Sequence, residues 1–294
     1  MSRSPVSRTS LRGRWRRLAL GLPTVLGLAP RGWFIPHRYA SLLPPPGAQP
    51  PYDEIEALFE RERATFLATI DLIDAQADAL EGLARLLDQA WFPPLDSAVA
   101  YSLVRARRPK RIVEVGSGHS TRLLARALTD IRVGSGVEAG KEAGEMISVD
   151  PAPRADIEGL PGVRVVPATL QVAPPDLFGG LIAGDLLFID SSHILMPGSD
   201  VDLLLNRILP RLPSGVLVHI HDIFLPYDYP PVWGWRNYNE QQGVAPLLAA
   251  GGYRLIFSSV WAERRLADRL ARSVLSRLPR PAGAMAASLW LEKR

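Results

Sequence analysis

Residues 108–294 predict an α/β fold built on a mostly parallel seven-stranded sheet. Three observations carry this. Short apolar runs recur at Arg111–Val115, Met146–Asp150, Val163–Val166, Asp185–Asp190, Gly215–Asp222, Tyr253–Val260 and Ala286–Leu291, each the length of a buried strand. Stretches of helical periodicity separate most of them, the pattern of strands joined by crossover helices. Acids stand at or near successive strand ends: Glu114, Asp150, Asp190 and Asp222. That is the edge where open parallel sheets bind ligands. One such acid could be a helix cap; several in a row make a polar edge.

Composition bounds the rest. A chain of 294 residues that is 47% hydrophobic can form one large domain with appendages. The absence of cysteine excludes disulfides and thiolate metal sites and fits a reducing compartment, so the expected location is cytoplasmic. The net charge of +4 is unevenly placed. Residues 1–52 hold eight arginines and no acid, whereas the remaining 26 basic residues face 30 acids. The basic character belongs to the leader, which argues against nucleic-acid binding by the fold.

The chain divides into a basic, Pro-rich leader and linker at 1–51, a helical cover at 52–107 and the sheet domain at 108–294. In the leader, six arginines precede an apolar run from Leu18 to Pro30 that contains Pro23. The run is short of the ~20 residues a bilayer span needs. Three readings stay open: a disordered tail, a membrane-surface or partner-binding segment, and a secretory signal. Leu43–Pro51 reads as the linker. Trp33–Tyr39 carries aromatics that are costly to leave wet, so a fold back onto the domain is expected. Tyr52–Gln89 has the spacing of one long helix or two. Trp91–Asp96 reads as a turn, and Ser97–Arg107 as a helix leading into the sheet.

The first strand runs into Gly116-Ser117-Gly118 and then into the periodic stretch Leu123–Leu128. A strand, a glycine turn and a helix N-terminus suit a nucleotide-like ligand, because glycines allow close approach and the helix offers unpaired N–H groups. Thr129–Glu145 reads as a flexible surface loop. Asp200–Leu212, Glu240–Ala250 and the basic stretch Glu263–Leu278 read as helices. Ile223–Asn239 is aromatic and Pro-rich, directly follows the fifth strand, and is expected to form a lid over a substrate. His219 and His221 share one strand face by the period of two, and a satisfied core histidine is the plain expectation for His219.

On the motif Glu114-Val-Gly-Ser-Gly118, with Asp150 ending the next strand, the chain resembles the class I S-adenosylmethionine-dependent methyltransferases. It most resembles their methyltransferase domain 24 group, and more distantly the macrocin-type and catechol-type O-methyltransferases. Ile189-Asp190-Ser-Ser-His193 and His219-Ile-His-Asp222 carry the finer likeness. The resemblance implies a Rossmann-like sheet with an antiparallel last strand, and S-adenosylmethionine bound by Glu114, Gly116, Ser117, Gly118, Asp150 and Thr169. Gly116 and Gly118 would lie under the methionyl part, Asp150 on the ribose hydroxyls, Glu114 at the amino-acid end and Thr169 near the adenine. It further implies a divalent cation, Mg or Mn, on Asp190 and Asp222. His193 would be the base, with His221 as the second candidate for proton transfer. His221 departs from the macrocin-type pattern, which has an acid there. The expected reaction is O-methylation of a small-molecule or glycan acceptor; peripheral membrane contact through the N-terminus stays one of the open readings of the leader.

Other readings remain. A dinucleotide fingerprint would need a third glycine where Thr121 stands, and an acid ~20 residues on, whereas Asp150 follows Gly118 by 32. A non-catalytic adenosyl binder would keep the turn but leave His193 pointing away. A metal-dependent hydroxylase similar to cephalosporin-hydroxylase-like proteins would use the same carboxylates and histidines with iron.

Overall fold

The computed structural model describes residues 11–134, 144–174 and 176–294, apart from the side chain of Arg12. The chain separates into two compact units, one from residues 1–52 with 227–238 and the other from 53–226 with 239–294.

In the larger unit, seven strands form one sheet: β1 (Arg111–Val115), β2 (Glu145–Val149), β3 (Val163–Val166), β4 (Leu186–Ile189), β5 (Leu217–Ile220), β6 (Tyr253–Ser258) and β7 (Leu289–Lys293). Their spatial order is β3-β2-β1-β4-β5-β7-β6. Pairings among β3, β2, β1, β4 and β5 are parallel; β7 runs antiparallel between β5 and β6. The chain walks outward from β1 to β3 and then returns to β4 on the other side of β1. The β1/β4 junction is therefore the switch point, where the connections diverge and leave a crevice.

The register sets the site. Val149, Val115, Ile189 and Ile220 are aligned across four strands. Asp150, Gly116, Asp190 and His221 form the next row. The ladder continues into that row through Gly116 N to Val149 O at 3.0 Å, Asp190 N to Val115 O at 2.8 Å and His221 N to Ile189 O at 2.8 Å.

Helices α1 to α12 are Leu11–Val25, Asp53–Arg61, Arg63–Asp74, Ala77–Glu81, Ala84–Leu87, Pro94–Arg107, His119–Gly134, Asp176–Gly179, Asp200–Leu203, Glu240–Ala249, Ser259–Arg265 and Ala267–Ala271. The stretch expected as one or two helices over 52–89 is thus four short ones, α2 to α5. They pack with the sheet as part of the larger unit: Phe66 of α3 meets Phe257 and Trp261 edge-on, with centroids 5.6 and 5.1 Å away. Fully burying side chains of this kind stabilises by ~1.5–3 kcal/mol each. Helix α6 starts earlier than expected because Pro94 occupies its first turn, where a missing N–H costs nothing.

Other boundaries also move. Helix α7 runs through Thr129 to Gly134, where a loop was expected; residues 135–143 of that loop lie outside the described residues. Beyond Asp200–Leu203 the chain stays coiled through a π turn and a 3₁₀ turn to Arg211. The single helix expected over 263–278 is α11, α12 and a 3₁₀ turn at Val274–Arg277, with Ser258 and Ser273 capping new starts. Serine caps compete with helix continuation, which periodicity does not register.

The smaller unit contains α1, so residues 11–25 of the leader are helical. Residues 227–238 of the expected lid belong here: Arg236 lies over the rings of Trp233, Trp235 and Tyr238. Trp33, Phe34, Ile35 and Tyr39 are exposed, contrary to the expected burial. Among the described residues no helix is long and apolar enough to cross a membrane.

Candidate active site

The β1 turn closes on itself. Glu114 is fully buried, and its carboxylate accepts from Ser120 Oγ at 2.8 Å, Thr121 Oγ1 at 2.7 Å and Ser148 Oγ at 2.7 Å. Ser148 sits opposite Glu114 in the register, and Ser120 and Thr121 come from the first turn of α7. Burial pushes the Glu114 carboxyl up to about 7 against the pull of those three hydroxyls. Expected to meet a ligand's amino-acid end, Glu114 instead points under the turn and holds strand to helix.

Gly116 has φ +81°, and a Cβ there would fall inside the Asp190 carbonyl oxygen. Only glycine fits. The turn therefore leans directly on the backbone of the next strand's end. Around Gly118 there is space: a Cβ would meet nothing nearer than the Arg154 Cβ at 3.9 Å. The Arg154 guanidinium lies over exposed Trp91, 5.3 Å from the ring centroid.

Asp150 ties down Ser117. Its Oδ2 accepts from Ser117 N at 2.7 Å and Ser117 Oγ at 2.8 Å, and its Oδ1 accepts from Ala152 N at 2.7 Å. A carboxylate offers about four acceptor sites, so room for a further donor remains. Thr169 stands apart. It follows the edge strand β3, is exposed, and its carbonyl accepts from Val172 and Ala173 N–H groups.

Beyond β4 and β5 the polar edge has another character. His193 is buried, with Nε2 3.3 Å from Asp190 Oδ1 and 3.4 Å from Asp222 Oδ2, and Nδ1 2.8 Å from Glu240 Oε2. His221 Nδ1 lies 3.5 Å from both Asp190 Oδ1 and Asp222 Oδ1, and its Nε2 3.6 Å from Asp96 Oδ2. The two expected carboxylates thus bracket the same two rings. His193 and Asp222 both have left-handed backbone, φ +61° and +56°. Such strain costs ~1–3 kcal/mol and gathers at functional sites. Asp190 keeps 28% of its side-chain surface open.

Two acids absent from the expected set hold this cluster. Glu240 begins α10, accepts from Ser191 Oγ and faces His193 Nδ1. Asp96, in the first turn of α6, accepts from Ser259 Oγ and from the Ala287 and Ser288 N–H groups. In sequence both look like helix-start acids, and nothing in the spacing sets them apart. Asn239 completes the clasp, with its N–H to His193 O at 3.1 Å and its Oδ1 accepting from Leu195 N at 2.7 Å. His219 is the core histidine: stacked on Phe188 at 3.8 Å, its Nε2 2.8 Å from Ser288 Oγ. Burial and the neighbouring His221 hold its pKa well below the ordinary value.

Charge in the cluster is coupled. Burial alone would drive both rings neutral. For His193 the hydrogen bonds to Asp190 and Glu240 and the charge of Asp222 outweigh it; for His221 the charges of Asp222 and Asp190 do. Both rings sit well above the ordinary imidazole value. Burial raises Asp190, but the two rings hold it well below the usual carboxylate range. As a base, His193 must first give up the proton that these carboxylates favour on its ring.

The same pairing bears on metal binding. Asp190 and Asp222 both face the His193 and His221 rings. Among the described residues no three His, Asp or Glu side chains are arranged to hold an ion. The expected Mg or Mn would find its two carboxylates, Asp190 and Asp222, converging beside His221, with no group of three ligands among the described residues.

Comparison with known proteins follows the same lines. Residues 113–223 match a family model described as a methyltransferase domain. No curated protein matches the chain by sequence. Among solved structures it is similar to the SAH-bound methyltransferase PaMTH1 of Podospora anserina, at 14% identity and TM-score 0.43, over 84% of this chain and 99% of that one. The O-methyltransferase TomG of Streptomyces achromogenes, in complex with SAM, is similar at 14% and 0.40, over 76% and 89%. An O-methyltransferase of Bacillus cereus in complex with SAH is similar at 14% and 0.37, over 75% and 91%. Likenesses at such TM-scores set neither reaction nor substrate. The matched segment runs from within β1 to just past β5 and holds the glycine turn and the whole row of strand-end residues.

Proposed function

We propose that this chain transfers a methyl group from S-adenosylmethionine to a hydroxyl of a small molecule or glycan. The observation that carries the proposal is the single row Asp150, Gly116, Asp190 and His221, which sets the glycine turn beside a buried acid–imidazole cluster. The cofactor fits the turn. The space over Gly118 admits close approach, and Asp150 retains acceptor capacity for a ribose hydroxyl. When bound there, S-adenosylmethionine supplies an electrophilic methyl group.

The chain's own residues would do the rest. Gly116, Ser117 and Gly118 form the floor, and Asp150 orients the sugar. An acceptor hydroxyl must lose its proton near the transition state. His193 Nε2, facing Asp190 and Asp222, is the atom placed to take it once the ring is neutral. Glu240 at Nδ1 keeps the ring's other proton in place and fixes its orientation. His193 turns into the cluster rather than away, which favours an enzyme over a non-catalytic binder of the same cofactor. No step here uses a metal ion.

A screen of labelled S-adenosylmethionine against hydroxylated glycans, phenols and amines tests the reading. Methyl transfer to a hydroxyl acceptor supports it. Transfer to amines alone would contradict it, as would tight NADH binding without S-adenosylmethionine binding.

A further inference from the structure

The helix α1 presents an apolar stripe that no described residue of its own unit covers. Leu11, Trp15, Leu18, Leu22 and Val25 follow one another by four, three, four and three residues, the spacing of a single helical face. All five are exposed, Leu11 at 73% and Trp15 at 65%. The opposite face is occupied. Arg17 donates to the carbonyls of Gly234 and Trp235 and, at 3.0 Å, to Asn237 Oδ1. Arg16 lies over the Trp235 ring at 5.6 Å, and Gly13 is buried. The helix is thus seated by its arginine face on the loop 234–237 of the same unit. Past its end the exposed apolar set continues with Leu26, Leu28, Trp33, Phe34 and Ile35.

Charge says what could cover the stripe. Arg14 borders it, Arg31 and Arg38 follow, and residues 1–52 contain no acid. A helix with Trp and Leu on one side, arginines around it and too little length to span is built to lie in a bilayer interface. Anionic headgroups would meet the arginines while the stripe enters the acyl boundary. We propose that α1 and the following residues to Arg38 dock the protein on an anionic lipid surface. This stands independently of methyl transfer.

Flotation of the full-length protein with vesicles tests it. Phosphatidylcholine vesicles with phosphatidylglycerol are compared with phosphatidylcholine alone, at about 0.1 M and about 0.5 M salt. Binding is expected to the anionic vesicles and to weaken at high salt. Trp15→Asp with Leu18→Asp should lower the partition by at least about tenfold on both lipids. Arg14→Glu with Arg31→Glu should weaken only the anionic case. Circular dichroism matching the wild type establishes that each variant is folded. Failure of the wild type to float would overturn the proposal, as would variants that float like it. Two further results would also overturn it: a doubled mass in sedimentation that the stripe variant abolishes, which would make a second copy the occupant, and retention on RNA that anionic vesicles do not compete away.

Discussion

Glu114 and Asp190 begin alike, as buried or half-buried acids at the carboxyl ends of adjacent parallel strands, and end in opposite roles. Around Glu114 every contact is a short hydroxyl hydrogen bond, 2.7–2.8 Å, and no atom is exposed. Around Asp190 the contacts are to imidazole rings at 3.3 and 3.5 Å, part of the surface is open, and the neighbouring backbone at His193 and Asp222 is strained. The first is a closed set that holds β1, β2 and α7 together. The second is charged, looser and accessible, the condition a group needs in order to exchange a proton. An acid at a strand end is therefore no evidence of chemistry until its partners are known.

The largest expected effect is on the reactive half. His193→Ala should lower turnover ~10²–10⁴-fold with cofactor affinity little changed, measured on any acceptor the screen yields. Unchanged turnover would move the proton transfer to His221. The two halves touch at Gly116, so Gly116→Ala should disturb both. The added methyl must displace the Asp190 carbonyl, and the positive φ adds strain, together costing about 2–4 kcal/mol in chemical denaturation. A variant as stable as the wild type would mean the turn can relax.

Glu114 sharpens the contrast through pH. Its folded-state pKa of about 7 lies above the ordinary glutamate value of 4.5. The folded state therefore holds the proton more tightly. The associated stability is fully present below 4.5 and lost as pH rises through about 7, at most ~3 kcal/mol. Glu114→Gln should flatten that stretch of the stability profile.

Smaller effects come from the cluster's rim. The raised pKa of His193 predicts that kcat/KM climbs with pH through a value above 6.5, since only the neutral ring accepts a proton. Glu240→Gln removes one of the carboxylates that raise it. The rise should shift to lower pH, with turnover down about tenfold. A profile left in place would separate Glu240 from the proton path. A chelator should leave turnover unchanged; its loss would show that an ion reorganises Asp190 and Asp222.

Much of the larger unit was legible in the sequence. Strand periodicity, the glycine turn and the strand-end acids located the sheet and put Asp150, Asp190 and Asp222 at its ligand edge, and the resemblance supplied the antiparallel last strand. Roles were harder. Gly116 reads as a ligand-contact glycine, but its requirement comes from the Asp190 carbonyl, a neighbour far away in sequence. Glu240 and Asp96 resemble ordinary helix-start acids, and only the crossing of α10 and α6 over the strand ends brings them to His193 and His221. The pKa of His193 depends on Glu240 and Asp222, both remote in sequence, as well as on the nearby Asp190, so composition could suggest only the unperturbed value. The early start of α11 after Ser258 and the fresh 3₁₀ turn after Ser273 follow from side-chain caps that a continuous amphipathic pattern does not register.

Calorimetric titration of S-adenosylhomocysteine into the wild type, Asp150→Ala and His193→Ala tests the central division of this edge without needing the acceptor. The account predicts binding to the wild type, a loss of ~1–3 kcal/mol in Asp150→Ala from unpaired ribose hydroxyls, and wild-type affinity in His193→Ala. No binding to the wild type, or equal binding by Asp150→Ala with loss in His193→Ala, would contradict it.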